Sequence, residues 1–258
     1  MRSFCFALQH LTRIRLYTGA FDESTFGRSA AFFPAVGLLL GLLVLAAGLL
    51  FKYLFPLPVV AALLVVTLVF LTGGIHLDGF MDTMDGIFSG RNRERKLEIM
   101  RDSRVGAFGV LGLACLLLLK YTAFLTMPPE LMTQSILLAM TLSRWSMAYA
   151  IAFFPYARRE GLGTLFHRYT GKREALAASA STLVFAGLIA GGAGFLLLLA
   201  AWGWVHFVGC KMTRELGGLT GDIYGATGET TEVLICLLSL PLYAYAPVLF
   251  GNPGLLLK

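Results

Sequence analysis

Charged residues are scarce in this sequence, and long apolar runs take their place. Of its 258 residues, 14% are charged and 57% are hydrophobic, and the mean hydropathy is +0.75. Soluble domains of ordinary composition contain about 25% charged residues, so the composition excludes that class. We expect a single integral membrane domain covering residues 1–258, all-α and built as a polytopic helical bundle.

The sequence also lacks the cysteine patterns of disulfide-rich and zinc-binding proteins. Its four cysteines, Cys5, Cys115, Cys210 and Cys236, are widely separated and form no Cys-x-x-Cys pair. This spacing excludes a disulfide framework and a zinc site built on paired cysteines. A cleaved signal peptide is not expected, because the N-terminal apolar run at 4–8 is too short and no small-residue cleavage site follows it.

Seven apolar segments have about the length needed to cross a membrane. The fifth and sixth are short and are separated by little more than Gly191-Gly192, so a tight hairpin and one long broken helix are both open. Residues 1–28, before the first span, carry apolar side chains at helical spacing and predict an interfacial amphipathic helix. The seven predicted spans are approximately 30–51, 57–75, 106–127, 131–154, 175–190, 194–210 and 232–250.

Basic residues are concentrated in alternate loops. Seventeen of the 21 Lys and Arg residues lie in segments 1–28, 76–105, 155–174 and 211–230. The positive-inside rule then predicts a multi-pass protein with an odd number of spans and a cytoplasmic N-terminus. The net charge is +6, but the bases follow these loops and form no single soluble face, so we expect no nucleic-acid partner.

The densest polar segment, residues 76–105, begins with three carboxylates at helical spacing, Asp78, Asp82 and Asp85. At about 100° per residue they fall within about 60° of one another on a helix. Such a stripe is often a solvated helix face. Here it directly follows an apolar span, where ionisable groups are costly, and this favours a metal site. Hard oxygen ligands suit Mg²⁺, which usually shares its coordination shell with phosphate.

Several arginines are candidates for binding phosphate groups, because a guanidinium group matches the geometry of phosphate oxygens. Arg101 and Arg104 follow the carboxylate stripe. Arg158 lies in the next basic loop, where a single base is better explained as an orientation charge than as a ligand. Arg144 differs because it lies inside the fourth predicted span, where an unpaired guanidinium is expensive. We predict that Arg144 pairs with an inward-facing carboxylate or with a bound phosphate.

A second polar segment, which includes the predicted cytoplasmic loop 211–231, is rich in glycine. Its glycines permit a tight turn whose backbone N–H groups can approach a phosphate. Asp222 is a candidate fourth ligand of the metal, and Glu229 or Glu232 is a further candidate. The alternative is a glycine-rich connector capped by polar side chains. No Gly-Lys-Ser/Thr string occurs, which excludes a Walker A loop. The candidate substrate-binding residues of this segment are Gly218, Thr220 and Gly221.

His76 lies two residues before the first aspartate of the stripe. It is a candidate general base for an attacking hydroxyl, or a partner of the metal-binding carboxylates, and a structural histidine at the membrane surface is the alternative. The candidate catalytic residues are therefore His76, Asp82 and Asp85. The candidate metal ligands are Asp78, Asp82, Asp85 and Asp222.

Taken together, five strings resemble one known family: GGIHLDGFMDTMDG, RKLEIMRDSRVGAFG, SRWSMAY, PYARREGLG and GGLTGDIYGA. The family is cobalamin synthase, the adenosylcobinamide-GDP ribazoletransferases, and the resemblance covers most of the chain. It implies an enzyme of the cell inner membrane that uses Mg²⁺. The implied reaction joins adenosylcobinamide-GDP to α-ribazole, or to its 5′-phosphate, and releases GMP. Arg101, Arg104 and Arg158 would then orient the phosphates. The sequence leaves open whether the protein forms a homo-oligomer.

Two other functions share part of this sequence pattern. A CDP-alcohol phosphotransferase has similar chemistry and a similar Asp-x-x-Asp-Gly opening, here Asp82 to Gly86, but Ser89-Gly90 replaces the Ala-Arg of that family and its later acidic string is missing. A secondary transporter would use intramembrane charges as an ion relay and would contain a repeat between its halves. No clear repeat occurs, and the acidic residues cluster in the loops of one membrane face.

Overall fold

The computed structural model describes residues 1–251, and these residues form helices and loops without a β-strand. One isolated parallel bridge joins Tyr156 to Leu219. Short 3₁₀ turns occupy Arg28–Phe32 and Pro247–Phe250. The all-α prediction is thus confirmed. The helices are α1 (Arg2–Leu11), α2 (Glu23–Gly27), α3 (Phe33–Phe51), α4 (Leu57–Thr72), α5 (Ile75–Phe88), α6 (Arg93–Ile99), α7 (Ala107–Thr126), α8 (Pro129–Phe153), α9 (Leu162–Tyr169), α10 (Lys172–Leu216) and α11 (Gly221–Tyr245).

Four helical stretches are long and apolar enough to cross a membrane, Glu23–Phe51, α7, α8 and α10, and the bent pair α4–α5 makes a fifth if it is one span. This number is lower than the seven spans predicted from the sequence. The difference has three causes: α4 has 16 residues, α10 is counted once, and α11 begins with a polar half.

Helix α10 is a hairpin of two antiparallel arms, 172–190 and 191–216. Ala190 and Gly191 leave the helical conformation, with Gly191 at φ +52°. Beyond the break, a Cβ added to Gly194 would overlap with the carbonyl of Ala186, and one added to Gly187 would lie 3.0 Å from the Phe195 ring. Residues eight apart in a straight helix are separated by about 12 Å, so the chain must reverse. Of the two alternatives left open by the sequence, the structure shows the tight hairpin.

Helix α8 is the central helix of the bundle. It packs against α3, α10 and α11, and 18 of its 25 residues are buried. Its start follows from Pro129, which fits the first helical turn because the missing N–H is not needed there. It ends at Phe154, whose extended backbone is the conformation expected for a residue that precedes proline. The central position explains why a charged residue on α8 requires a buried partner.

Helix α1 packs against the bundle through its apolar face. Phe6, Leu8 and Leu11 are buried, and α1 contacts the 3₁₀ turn that follows α2 and the start of α3. This arrangement matches the helical spacing that the sequence shows in residues 1–28, although the contacts that bury the apolar side chains are protein contacts.

A bend of 94° between α4 and α5 lays α5 across one end of the bundle. Two consecutive glycines make the bend, Gly73 at φ +65° and Gly74 at φ +71°. This left-handed conformation is readily adopted by glycine and strained for other residues. Beyond the bend, α5 packs between α11 and α7. The helix that carries the carboxylate stripe is therefore clamped on two sides.

The contact between α5 and α11 depends on Gly79. A Cβ added to Gly79 would lie 2.8 Å from the Cα of Asp222, so Gly79→Ala must push the two helices apart. We expect a loss of about 1–3 kcal/mol in the free energy of unfolding. The matched control is Gly203→Ala, whose methyl group would have no atom within 4 Å. Unfolding in detergent micelles measures both, and equal stability of the two variants would contradict this packing.

Candidate active site

Helices α5 and α11 bring acidic side chains together at the end of the bundle. Asp78 and Asp82 lie on the face of α5 that is open to solvent, Asp78 exposed and Asp82 half-buried. Asp222 lies in the first turn of α11, whose backbone contacts Gly79. The close approach at Gly79 thus places Asp222 beside the carboxylate stripe of α5. Asp222 was predicted to belong to the same site as this stripe.

Charge repulsion is strong in this cluster. Partial burial, together with the carboxylates of Asp222, Asp78 and Asp85, raises the pKa of Asp82 to about 7, while Arg158 opposes the rise. Partial burial also raises the pKa of Asp222, again against Arg158. Neighbouring carboxylates that repel one another favour protonation of one of them or the binding of a cation. The cluster therefore carries a net negative charge that Arg158 alone does not neutralise.

The predicted metal ligands do not form a closed cage. Among residues 1–251, no group of three or more His, Cys, Asp or Glu side chains is arranged to hold a metal ion. Mg²⁺ rarely uses an all-protein cage, because it keeps several waters and binds one or two carboxylates together with substrate phosphates. The hard oxygen donors of Asp78, Asp82 and Asp222 fit that kind of open site.

Asp85 has a structural role in addition to its place in the stripe. It is buried, and its two carboxylate oxygens accept hydrogen bonds from the backbone N–H groups of Gly106 at 2.7 Å and Gly109 at 2.8 Å. These bonds cap the start of α7, which carries no other side-chain cap. A Cβ at Gly109 would lie 2.5 Å from the carboxylate, so glycine permits the approach.

Arg158 is the cation that contacts the acidic cluster. Its guanidinium group lies 2.6 Å from the Asp222 carboxylate and donates a hydrogen bond of 3.1 Å to the carbonyl of Met100. The position of Arg158 follows from the bridge between Tyr156 and Leu219, which joins the loop after α8 to the loop before α11. Two distant segments of the sequence thereby meet at Asp222.

The loop before α11 has both a structural part and an open part. A Cβ at Gly218 would lie 2.6 Å from the carbonyl oxygen of Pro155, so the glycine allows this loop to pack closely against the loop after α8. Thr220 caps α11 by accepting a hydrogen bond from the N–H of Ile223, and its hydroxyl bonds to Asp222 at 3.2 Å. Gly221 is exposed, and a Cβ there would have no neighbour within 4 Å. The N-terminus of α11 is therefore accessible beside Asp222.

Arg101 and Arg104 occupy different environments. Arg101 is exposed and lies close enough to Tyr156 to oppose the rise in the pKa of that phenol. Arg104 is exposed and is held by Asp102 at 2.6 Å. With Arg91 and Arg95, Arg104 lines a cavity of about 1030 Å³ that reaches Asp85. Arg101 is thus near the Arg158 side of the cluster, whereas Arg104 faces a separate basic cleft.

Arg144 lies in a buried ionic network. It is 2% exposed and contacts Glu232 at 2.8 Å, and Lys120 contacts Glu229 at 2.5 Å and Glu232 at 2.6 Å. Of the two partners predicted for Arg144, the structure shows the carboxylate. The role of Lys120 was missed, although a lone lysine inside an apolar span was a signal. The structure brings Glu229 and Glu232 to this network and not to the Asp222 end of α11.

His76 lies on another face of α5 than the aspartates. It is 5% exposed and packs against Gly225 of α11. Its Nε2 atom has no hydrogen-bond partner among the described residues. The structure therefore does not bring His76 together with Asp78 and Asp82, and it places this ring toward the interior of the bundle.

Comparisons with known proteins identify a matching family and several similar chains. A model of the family described as cobalamin-5-phosphate synthase matches residues 3–240. A Roseiflexus protein named adenosylcobinamide-GDP ribazoletransferase is 46% identical over 224 residues, which cover 86% of this chain and 82% of the relative. Proteins of the same name from Desulfitobacterium hafniense (42% identical, 94% of this chain and 98% of the relative) and Escherichia coli (36% identical, 90% and 96%) are also similar.

No solved structure matches the chain. The family match spans the bundle from α1 into α11, including both polar segments that build the acidic cluster. Relatives well above 30% identity cover most of the chain and most of their own length. The chain belongs to the cobalamin-5-phosphate synthase family.

Proposed function

We propose that this protein is a Mg²⁺-dependent transferase that joins adenosylcobinamide-GDP to α-ribazole or its 5′-phosphate. The products are adenosylcobalamin, or its 5′-phosphate, and GMP. The observation that carries the proposal is the convergence of Asp78, Asp82 and Asp222, with Arg158 in contact with Asp222. The names of the relatives supply the substrates.

The reaction exchanges one P–O bond for another. A hydroxyl of the ribazole attacks the phosphorus on the cobinamide side of the diphosphate, and the bond from that phosphorus to the oxygen of the GMP phosphate breaks. The hydroxyl proton goes to a base, and GMP leaves as a phosphate monoester. Protein catalysis of such a transfer consists mainly of positioning and of stabilising charge on the phosphoryl oxygens.

Asp78, Asp82 and Asp222 would hold Mg²⁺ at the open face of α5. When bound, the ion neutralises the diphosphate and the charge that develops on the leaving group. Arg158 is held by Asp222 and by the Met100 carbonyl and is positioned to bind a phosphate oxygen of the donor. The start of α11 at the exposed Gly221 lies beside Asp222, and the dipole of the helix favours an anion there. Asp85 keeps α7 in place beside the site.

A base for the hydroxyl proton is available in the same cluster. Asp82 is half-buried at the open face of α5, beside Asp78 and Asp222, so its carboxylate lies where an incoming hydroxyl can reach it. His76 lacks this access, because it packs against Gly225 on the inner side of α5. We therefore propose Asp82, before His76, as the residue that accepts the proton.

The proposed setting is the cell inner membrane, with the N-terminus in the cytoplasm. Large apolar side chains such as Phe70 and Leu188, each 76% exposed, are suited to lipid contact. If the two arms of α10 cross separately, and α4 and α11 also cross, the number of spans is seven. The acidic cluster then faces the cytoplasm, in agreement with the distribution of basic residues.

An assay of the purified protein in liposomes tests the proposed function. With adenosylcobinamide-GDP, α-ribazole and Mg²⁺, we expect GMP and adenosylcobalamin in equal amounts, and no GMP when either α-ribazole or Mg²⁺ is omitted. Release of CMP from a CDP-alcohol substrate, without GMP release, would favour the phosphotransferase alternative. Ion movement across the liposome membrane, without release of either nucleotide, would favour a transporter.

A further inference from the structure

A cavity of about 600 Å³ lies between the N-terminal segment and the bend that joins α4 to α5. Its volume is within the range of small-molecule sites. The N-terminal segment contributes basic and polar side chains, and the bend contributes backbone and one carboxylate, that of Asp78. The polar side chains that line it are those of Gln9, His10, Thr12, Arg13, Arg15, Thr72 and Asp78.

The fold fixes the position of Arg13. Its backbone N–H donates a hydrogen bond of 2.8 Å to the carbonyl of Leu71 at the end of α4. Its guanidinium group lies over Gly73, where an added Cβ would overlap with the Nε atom. Gly73 also has φ +65°. The glycine thus provides both the bend and the space that the arginine side chain occupies.

Arg13 and Arg15 are cations without a carboxylate partner in the part of the chain that the structure describes. Neither makes a salt bridge there, whereas Lys120, Arg144 and Arg158 each contact an acidic group. Asp78 is the one acidic residue lining the cavity, so two arginines outweigh it. A cavity of this charge favours an anionic ligand, and guanidinium groups bind phosphate in particular.

The start of α5 supports the same choice of ligand. Ile75 and Leu77, from the first turn of α5, line the cavity, and this turn has no side-chain cap. Free N–H groups at a helix start favour an anion. The contribution is secondary to that of the two arginines.

The place of the cavity indicates which anion it holds. Asp78 belongs both to the cavity and to the acidic cluster, whereas Arg158 and Asp222 do not line the cavity. In an in-line displacement the attacking and leaving oxygens lie on opposite sides of the phosphorus. If Asp222 and Arg158 hold the donor diphosphate, the acceptor approaches from the Asp78 side.

We propose that Arg13 and Arg15 bind the 5′-phosphate of α-ribazole 5′-phosphate, so that this cavity is the acceptor site. The inference rests on the proposed function and extends it to residues of the N-terminal segment. The 5′-phosphate is the anionic group that distinguishes this acceptor from α-ribazole. The two arginines therefore set the preference of the enzyme between the two acceptors.

The test is the double variant Arg13→Ala/Arg15→Ala, assayed in liposomes with both acceptors and with adenosylcobinamide-GDP as donor. Loss of charge-assisted hydrogen bonds to phosphate should lower kcat/KM for α-ribazole 5′-phosphate by about 10- to 100-fold, through KM. The ratio of kcat/KM for the phosphorylated over the unphosphorylated acceptor should fall by about the same factor, and the KM for adenosylcobinamide-GDP should change less than about threefold. Arg28→Ala, an exposed arginine of the same segment that does not line the cavity, is the matched control.

Three results would overturn the proposal. One is an equal loss with both acceptors, and the second is a rise in the donor KM as large as that for the acceptor. The third is an unchanged preference in a variant that retains wild-type thermal stability. If the double variant is unstable, Arg15→Lys and Arg15→Gln replace it, with a smaller loss of preference expected for lysine than for glutamine. Failure of the wild-type protein to release GMP with either acceptor would instead refute the proposed function.

Discussion

Replacement of Asp82 by alanine is expected to lower the rate of GMP release by about 10³-fold or more, because it removes an oxygen ligand of the metal and the proposed base together. The side chain is half-buried and has no hydrogen-bond partner that stabilises the fold among the described residues, so the variant should insert and fold normally. Its thermal stability should be equal to or above that of the wild type, since the change relieves repulsion with Asp78 and Asp222.

The measurement is single-turnover GMP release at saturating donor and acceptor, together with thermal unfolding of the same preparation. Glu130→Ala is the matched control, an exposed acidic residue in the first turn of α8, remote from the acidic cluster. Normal turnover in the Asp82 variant would remove this residue from the site. A joint loss of turnover and folding would show a structural role instead.

The second large effect concerns stability. Lys120→Met should lower the free energy of unfolding by about 3–5 kcal/mol, because it leaves Glu229 without its partner and two carboxylates facing Arg144 alone. The penalty arises mainly from uncompensated buried charge. Adding Glu229→Gln to the same protein restores neutrality, so we expect the double variant to recover at least half of the loss.

Unfolding in detergent, measured for the two single variants and the double variant, gives the coupling between Lys120 and Glu229. The expected coupling is favourable and exceeds about 1 kcal/mol, since the groups are in direct contact. Additive effects would contradict the network. The first turn of α11, with Asp222, should keep its place in the double variant, so GMP release should recover with stability.

The sequence predicted the helices and the carboxylate stripe because both depend on local periodicity. Asp78 and Asp82 are four residues apart, and any helix over this segment places them on one face. The association of Asp222 with them was inferred from the expected membrane face alone. The structure supplies the physical reason, which is the absence of a side chain at Gly79 where α5 meets α11.

Other features depend on long-range packing and could not be predicted from local pattern. Asp85 shares the spacing of the stripe, but its oxygens are bound by Gly106 and Gly109, a partnership set by how α7 meets α5. Lys120 and Glu229 are more than 100 residues apart in sequence. The two glycines at Gly73 and Gly74 lie at the end of the predicted span 57–75, and local pattern alone does not predict a bend there. The contact between Gly73 and the Arg13 side chain also depends on long-range packing.

In the proposed reaction, a divalent cation held by the α5 carboxylates contacts the diphosphate of the donor. The most direct test replaces a non-bridging oxygen of that diphosphate with sulfur and measures GMP release in Mg²⁺ and in a softer cation, Cd²⁺. Because Mg²⁺ prefers oxygen and Cd²⁺ accepts sulfur, we predict slow release in Mg²⁺ and recovery in Cd²⁺, with recovery lost in Asp82→Ala. An equal slowing in both metals, or recovery that survives in Asp82→Ala, would contradict the claim that these carboxylates hold the metal against the diphosphate.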